Sequence, residues 1–137
     1  MIVVDASTVV ELLTDSRGMA LKVRDRLAQD TEWYGPDHVF VETVNALRGL
    51  WLGRHFDGEQ FDAQLRALDS LRIASVPVRL VLTRVRALAA NATAYDAAYV
   101  ALAEHLGAPL VTFDSKLARI PGSTARVDVL GRAEPPG

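Results

Sequence analysis

Two short runs of core-forming residues each end on an aspartate: Ile2-Val3-Val4 stops at Asp5, and Leu110-Val111-Thr112-Phe113 stops at Asp114. Unbroken apolar runs of this length mark strands buried on both faces, whereas a strand with one wet face alternates apolar and polar residues. Strands of that kind need helices on either side, and the chain supplies them. Helical spacing is read over residues 6–13, more weakly over 16–29, and clearly from Val39 through Phe40, Val44, Leu47, Leu50 and Trp51 to Gly53. A further stripe of Phe61, Leu65, Leu68 and Leu71 predicts another helix, and residues 78–90 the next. Thr93 opens an alanine-rich helix that runs to Leu106 and closes at Gly107. Trp33-Tyr34, residues 73–76 and residues 127–130 read as further strands, and Leu117 to Ile120 as a last short helix. The expected fold class is therefore α/β, a three-layer α/β/α sandwich around a short, mainly parallel sheet. Residues 1–131 are expected to form a single domain and 132–137, with two prolines, a flexible C-terminal tail.

In such sheets, ligands bind beyond the carboxyl ends of the strands. If the first strand and Leu110–Phe113 are neighbours, Asp5 and Asp114 share a rim. Two carboxylates brought together repel, which raises a pKa or demands a cation, and hard cations prefer oxygen ligands. Composition points the same way. The chain has no cysteine, and His38, His55 and His105 include no i, i+4 pair, so thiolate and helix-borne zinc sites are excluded. A formal charge of −2 argues against a whole-surface positive field for nucleic acid and leaves local patches open; Arg17, Arg48, Arg54 and Lys116 are candidate phosphate contacts. Trp33 and Trp51 could stack on bases or pack in a core or interface. No apolar run approaches the ~20 residues of a membrane span, and the opening residues do not read as a signal peptide, so a cytoplasmic protein is expected.

Each acid also has a purely structural explanation. Asp5 and Asp114 could cap the helices that follow them, and Asp96 fits the carboxylate position of a capping box begun by Thr93. Glu42, at the edge of its helix's apolar face, could pair with an arginine.

Taken together, Ile2-Val3-Val4-Asp5-Ala6-Ser7, Val41-Glu42-Thr43-Val44-Asn45-Ala46-Leu47, Thr93 to Ala103 around Tyr95-Asp96, and Leu110-Val111-Thr112-Phe113-Asp114 with Leu117-Ala118 resemble, in order, the motifs of PIN-domain ribonucleases, and among them the VapC-type toxins of bacterial toxin–antitoxin pairs. The resemblance spans nearly the whole chain. It implies an acidic pocket of Asp5, Glu42, Asp96 and Asp114 holding Mg²⁺ or Mn²⁺, with Ser7 or Thr112 as polar helper. It further implies cleavage of an RNA substrate, a cognate antitoxin partner, and a homodimer. One departure is visible: some members carry a further acid soon after the position of Asp114, where this chain has Ser115, Lys116 and Leu117.

Two rivals fit poorly. A haloacid-dehalogenase phosphatase wants a second aspartate where Ser7 stands, and a receiver domain wants paired acids where Asp5 stands alone. A PIN-like module that binds RNA or protein without cutting is the remaining alternative, against which the intact set of four acids argues.

Overall fold

The computed structural model describes residues 1–131; the expected tail at 132–137 lies outside the described residues. Five strands form one sheet: β1 (Ile2–Val4), β2 (Trp33–Pro36), β3 (Ile73–Val76), β4 (Leu110–Thr112) and β5 (Val127–Val129). Their order is β3-β2-β1-β4-β5 and every pairing is parallel, so the sheet is wholly parallel where sequence predicted it mainly so. β1 and β4 lie side by side at its centre, and all their residues are buried, which accounts for their unbroken apolar runs.

Connectivity places the helices. From β1 to β2 the chain passes through α1 (Ala6–Thr14) and α2 (Ala20–Leu27), and from β2 to β3 through α3 (Val39–Leu52) and α4 (Gly58–Ser70). Both steps move in one direction along the sheet, so right-handed crossovers put these four helices on one face. The chain then returns across β2 and β1 through α5 (Leu82–Ala87) and α6 (Ala94–Leu106), which reverses direction and puts them on the other face. α6 packs on β1, β2 and β4, and all seven residues from Ala97 to Ala103 are buried. A helix covered almost all round carries no amphipathic stripe, and its alanines let it sit close to the sheet.

Four elements differ from expectation. The helix expected at 16–29 begins only at Ala20, because the chain turns through left-handed Asp15 and Gly18 before it. That turn is braced by Glu11, a fully buried carboxylate that accepts hydrogen bonds from the Arg17 and Met19 backbone N–H groups at 2.9 and 2.8 Å. The stretch 78–90 is not one helix: a 3-10 turn at Val78–Val81 follows Pro77, Val81 leaves the helical region at φ −122, and α5 restarts at Leu82. The short helix after β4 is a 3-10 turn over Ser115–Arg119. β2 runs past the expected Trp33-Tyr34 through Gly35-Pro36. A Cβ on Gly35 would lie 3.0 Å from a Val39 methyl, so glycine lets α3 start hard against the strand end.

Candidate active site

The direction of the chain reverses between β1 and β4, whose following segments leave toward opposite sides of the sheet. A crevice at the carboxyl ends of such a strand pair is the usual ligand site of an open parallel sheet. Asp5 and Asp114 both stand there.

Asp5 is buried, 5 % exposed, and is held by a dense set of donors. Its Oδ1 accepts from the Thr8 backbone N–H at 3.1 Å, which caps α1, and from the hydroxyl of Ser7 at 2.7 Å. Its Oδ2 accepts from the Thr112 hydroxyl at 2.5 Å. Burial pushes the carboxyl above its ordinary range, and the hydrogen bonds from Thr112, Ser7 and Thr8 pull the other way without cancelling it. The hydroxyls extend the network across the strand pair. Thr112 Oγ1 accepts from Asp114 N–H at 2.9 Å, and Ser7 Oγ accepts from Phe113 N–H at 3.0 Å, so the end of β4 is tied to the start of α1.

Glu42 projects from the first turn of α3, and its partner is not an arginine. The Tyr99 hydroxyl, from α6, donates to Glu42 Oε1 at 3.0 Å. His38 Nε2 lies 3.1 Å from the same oxygen but is not aligned to donate, and among the described residues it finds no other partner. The His38 ring is packed edge-on against Tyr99 and Tyr95 at 5.1 and 5.5 Å. Tyr99 is itself buried. Burial first, then the nearby Glu42 and Asp5 charges, push its phenol far above the ordinary range, so it remains a protonated donor.

Asp96 and Asp114 complete the set. Thr93 Oγ1 caps α6 by accepting from Asp96 N–H at 3.1 Å, but among the described residues the Asp96 carboxylate returns no hydrogen bond to Thr93. Half of a capping box is present, therefore, and the carboxylate is left free. In α4 both halves form, between Asp57 and Gln60. Asp114 does cap: its Oδ1 accepts from Lys116 N–H at 2.9 Å, while its Oδ2 points to the Lys116 ammonium.

The four acids thus do not form a closed cage. The Tyr99 hydroxyl donates to Glu42, and Lys116 spans Asp96 and Asp114. Among the described residues no three acid or histidine side chains already meet at one metal position. Their chemistry nevertheless suits a hard cation. Glu42, Asp96 and Asp114 each present a carboxylate oxygen with no hydrogen bond among the described residues, and Asp5 is fixed in place by its neighbours.

Sequence reasoning passed over Tyr99 and His38 as site residues, although Tyr99 sits three positions after Asp96 and His38 four before Glu42, the spacings that share a helix face. Of the suggested cations, Lys116 reaches the acids and Arg17 stacks over Phe113 at 4.9 Å. Trp33 is a structural residue: its Nε1–H donates to the carbonyls of Leu27 and Asp30. Trp51 packs on Phe61 at the end of α3 and stays partly exposed.

Comparison with known proteins agrees with this architecture. The PIN domain family matches residues 2–123. Ribonuclease VapC12 of Mycobacterium tuberculosis is 36% identical over 131 residues, 95% of this chain and 99% of that protein. The crystal structure of Mycobacterium tuberculosis VapC20, described as a Sarcin-Ricin loop cleaving toxin, superposes with a TM-score of 0.66 at 18% identity, covering 92% of this chain and 99% of the other. A toxin-antitoxin complex from Klebsiella pneumoniae contains a chain with the same fold, at TM-score 0.66, 16% identity and 94% and 97% coverage. With the family matched along nearly its whole length, the chain belongs to the PIN-domain proteins.

Proposed function

We propose that this protein is a metal-dependent endoribonuclease, the toxin of a toxin–antitoxin pair that inhibits growth or translation, and that Asp5, Glu42, Asp96 and Asp114 hold Mg²⁺ or Mn²⁺. The observation that carries the reading is the buried, multiply hydrogen-bonded Asp5 at the β1/β4 crevice, with Asp114 at the end of the neighbouring strand. Asp114, Asp96 and Glu42 each keep a carboxylate oxygen with no hydrogen bond among the described residues. A buried carboxylate whose burial opposes its charge, standing at a strand-end crevice, is often functional. VapC12, named a ribonuclease, supports the choice of RNA.

A divalent ion, when bound, would offset the phosphodiester's negative charge and favour ionisation of an attacking water. The chain's own residues do the positioning. Ser7, Thr8 and Thr112 lock the Asp5 carboxylate, and their hydroxyls are themselves held between α1 and β4. Tyr99 orients Glu42, and because its phenol stays protonated it can only serve as a donor to that oxygen. Arg17 over Phe113 supplies positive charge beside the crevice, where it can meet a phosphate of the substrate.

The cognate antitoxin fits the apolar groove between α1 and α3, bounded by Ala6, Val10, Ala46 and Leu50 and opening beside Ser7, where a helix could lie with a basic side chain near the acids. A second groove lined by Leu80, Val81, Ala87 and Ala101 suits a homodimer contact. No helix among the described residues is long and apolar enough to cross a membrane, in keeping with a cytoplasmic site of action.

The test is cleavage of a mixed RNA pool by purified protein with Mg²⁺, Mn²⁺ or EDTA, beside Asp5→Asn and Asp96→Asn. Metal-dependent cutting that both variants lose is the expected result. Folded wild type that binds RNA or a partner but cuts nothing would turn the reading to a binding module.

A further inference from the structure

Among the described residues Lys116 is the lysine or arginine whose charge contacts the acids of the crevice. Its ammonium lies 3.5 Å from Asp114 Oδ2 and 3.9 Å from Asp96 Oδ2. The two carboxylates come from different elements, the end of β4 and the first turn of α6, so one cation spans the gap between them. This placement is built by the backbone. The Lys116 N–H is pinned to Asp114 Oδ1, and the 3-10 turn that follows folds the lysine back over the residue that caps it. Arg119, in the same turn, is engaged elsewhere, donating to Ser115 Oγ at 3.3 Å.

The lysine is held by charge alone. Among the described residues no hydrogen bond fixes the ammonium, and the side chain is 71% exposed. An ion pair of this kind adds little to stability, and it is easily broken. The cleft that Asp96 and Lys116 share with Asn91, Thr93 and Arg119 gives the side chain room to move away.

We propose that Lys116 is the resident counter-ion of this acidic site: its ammonium neutralises Asp96 and Asp114 before a divalent cation binds, and the incoming cation must displace it. The proposal rests on the metal-holding reading of the four acids. It gives the departure noted at residues 115–117 a role, because the stretch in which some members carry a further acid here carries a lysine. In a water-like dielectric two unit charges about 4 Å apart interact by roughly a fivefold factor in an equilibrium constant. Two such pairs would multiply to roughly 25-fold, but the ammonium is 71% exposed and salt screens it, so removing its charge should tighten divalent binding about five- to tenfold.

The experiment is calorimetric titration of Mn²⁺ into the full chain, as wild type, Lys116→Gln and Lys116→Arg, with Asp96→Asn as the site control. Tighter binding by Lys116→Gln, wild-type affinity in Lys116→Arg and weaker binding by Asp96→Asn are expected. Equal affinity in wild type and Lys116→Gln, with Asp96→Asn still weakened, overturns the counter-ion while leaving the acid site intact. Absence of Mn²⁺ binding in all four folded proteins overturns the metal-holding reading and the counter-ion with it. Thermal melts of each protein confirm that the folded state is being compared.

Discussion

Replacing Tyr99 with phenylalanine removes one oxygen from the middle of the candidate site and leaves the ring packed as before. The hydroxyl is the aligned donor to Glu42 Oε1, at 3.0 Å, while His38 Nε2 is close but off-line. A hydrogen bond to a charged acceptor contributes about 1.5–3 kcal/mol. Glu42 is about one-third exposed and can accept water in exchange. That lowers the expected loss to about 1 kcal/mol, or roughly 3–5 °C in Tm for a chain of this size. The effect on catalysis should exceed the effect on stability. A carboxylate freed from its donor samples positions of the order of 1 Å apart, and misplacement on that scale costs up to ~10²-fold in rate. We expect Tyr99→Phe to lower kcat for RNA cleavage about ten- to a hundredfold at saturating Mg²⁺. A double-mutant cycle isolates the cause: if Tyr99 acts through Glu42, adding Tyr99→Phe to Glu42→Gln should reduce the rate by no more than about twofold. Wild-type cleavage by Tyr99→Phe, or fully additive losses in the cycle, would refute the claim that this hydroxyl positions Glu42.

Three further outcomes concern other carboxylates that burial or hydrogen bonds hold in place. Asp5→Asn should abolish cleavage yet melt no lower than wild type at pH 7. The folded pKa of Asp5 is raised, so its contribution to stability is present below its unfolded value and lost as pH rises through the raised one, and the variant's advantage in thermal melts should shrink toward acid pH. Glu104 behaves oppositely. Burial opposes its charge, but hydrogen bonds from Arg84 and from Thr124 N–H hold its carboxyl below the ordinary range. Its contribution is present above the unfolded value and lost as pH falls through the lower folded one, so the Tm gap between wild type and Glu104→Gln should be open at pH 7 and close in acid. Glu11→Ala strips the brace from the turn before α2, where exposed backbone donors can recruit water, so we expect a loss of about 2 kcal/mol in urea melts and faster tryptic cutting after Arg17. Unchanged proteolysis at that bond would show that the turn holds without Glu11.

How far the sequence could be read depended on the range of the interactions. Strand ends and helix faces are local patterns, so the sheet, most of its helices and the rim position of Asp5 and Asp114 were legible. The breaks in the expected helices at residues 15–19 and 78–81 were less so, because the first depends on a left-handed turn braced by a buried glutamate and the second on a backbone departure at Val81. The polar shell was hidden for a different reason. Thr112 reaches Asp5 across 107 positions and Tyr99 reaches Glu42 across 57. The family resemblance pointed to Ser7 or Thr112 as polar helper, but the residue pattern by itself reads Thr112 and Tyr99 as ordinary core-facing residues. Nothing in a threonine at the end of an apolar run distinguishes a hydroxyl turned to a carboxylate from one turned to its own backbone.

The capping ambiguity shows why local patterns also misled. Sequence set helix capping against chemistry as competing explanations for Asp5, Asp96 and Asp114. The structure separates them oxygen by oxygen. Asp5 and Asp114 each use Oδ1 to cap and turn Oδ2 elsewhere, to Thr112 and to Lys116, while Asp96 leaves the capping of α6 to the Thr93 hydroxyl. A carboxylate anchored through one oxygen to rigid backbone loses less conformational freedom when its other oxygen takes up a ligand. Capping is thus compatible with a binding role and favours it, because the helix start that needs the cap also fixes the direction of the free oxygen. The same reasoning sets an order among the acids. Asp5, which accepts from Ser7, Thr8 and Thr112, is the most fixed; Asp96, whose carboxylate has no hydrogen bond among the described residues, is the least; and Glu42 depends on the one hydroxyl of Tyr99. Loss of a positioning partner should therefore be felt most at Glu42, where a single hydroxyl carries the orientation.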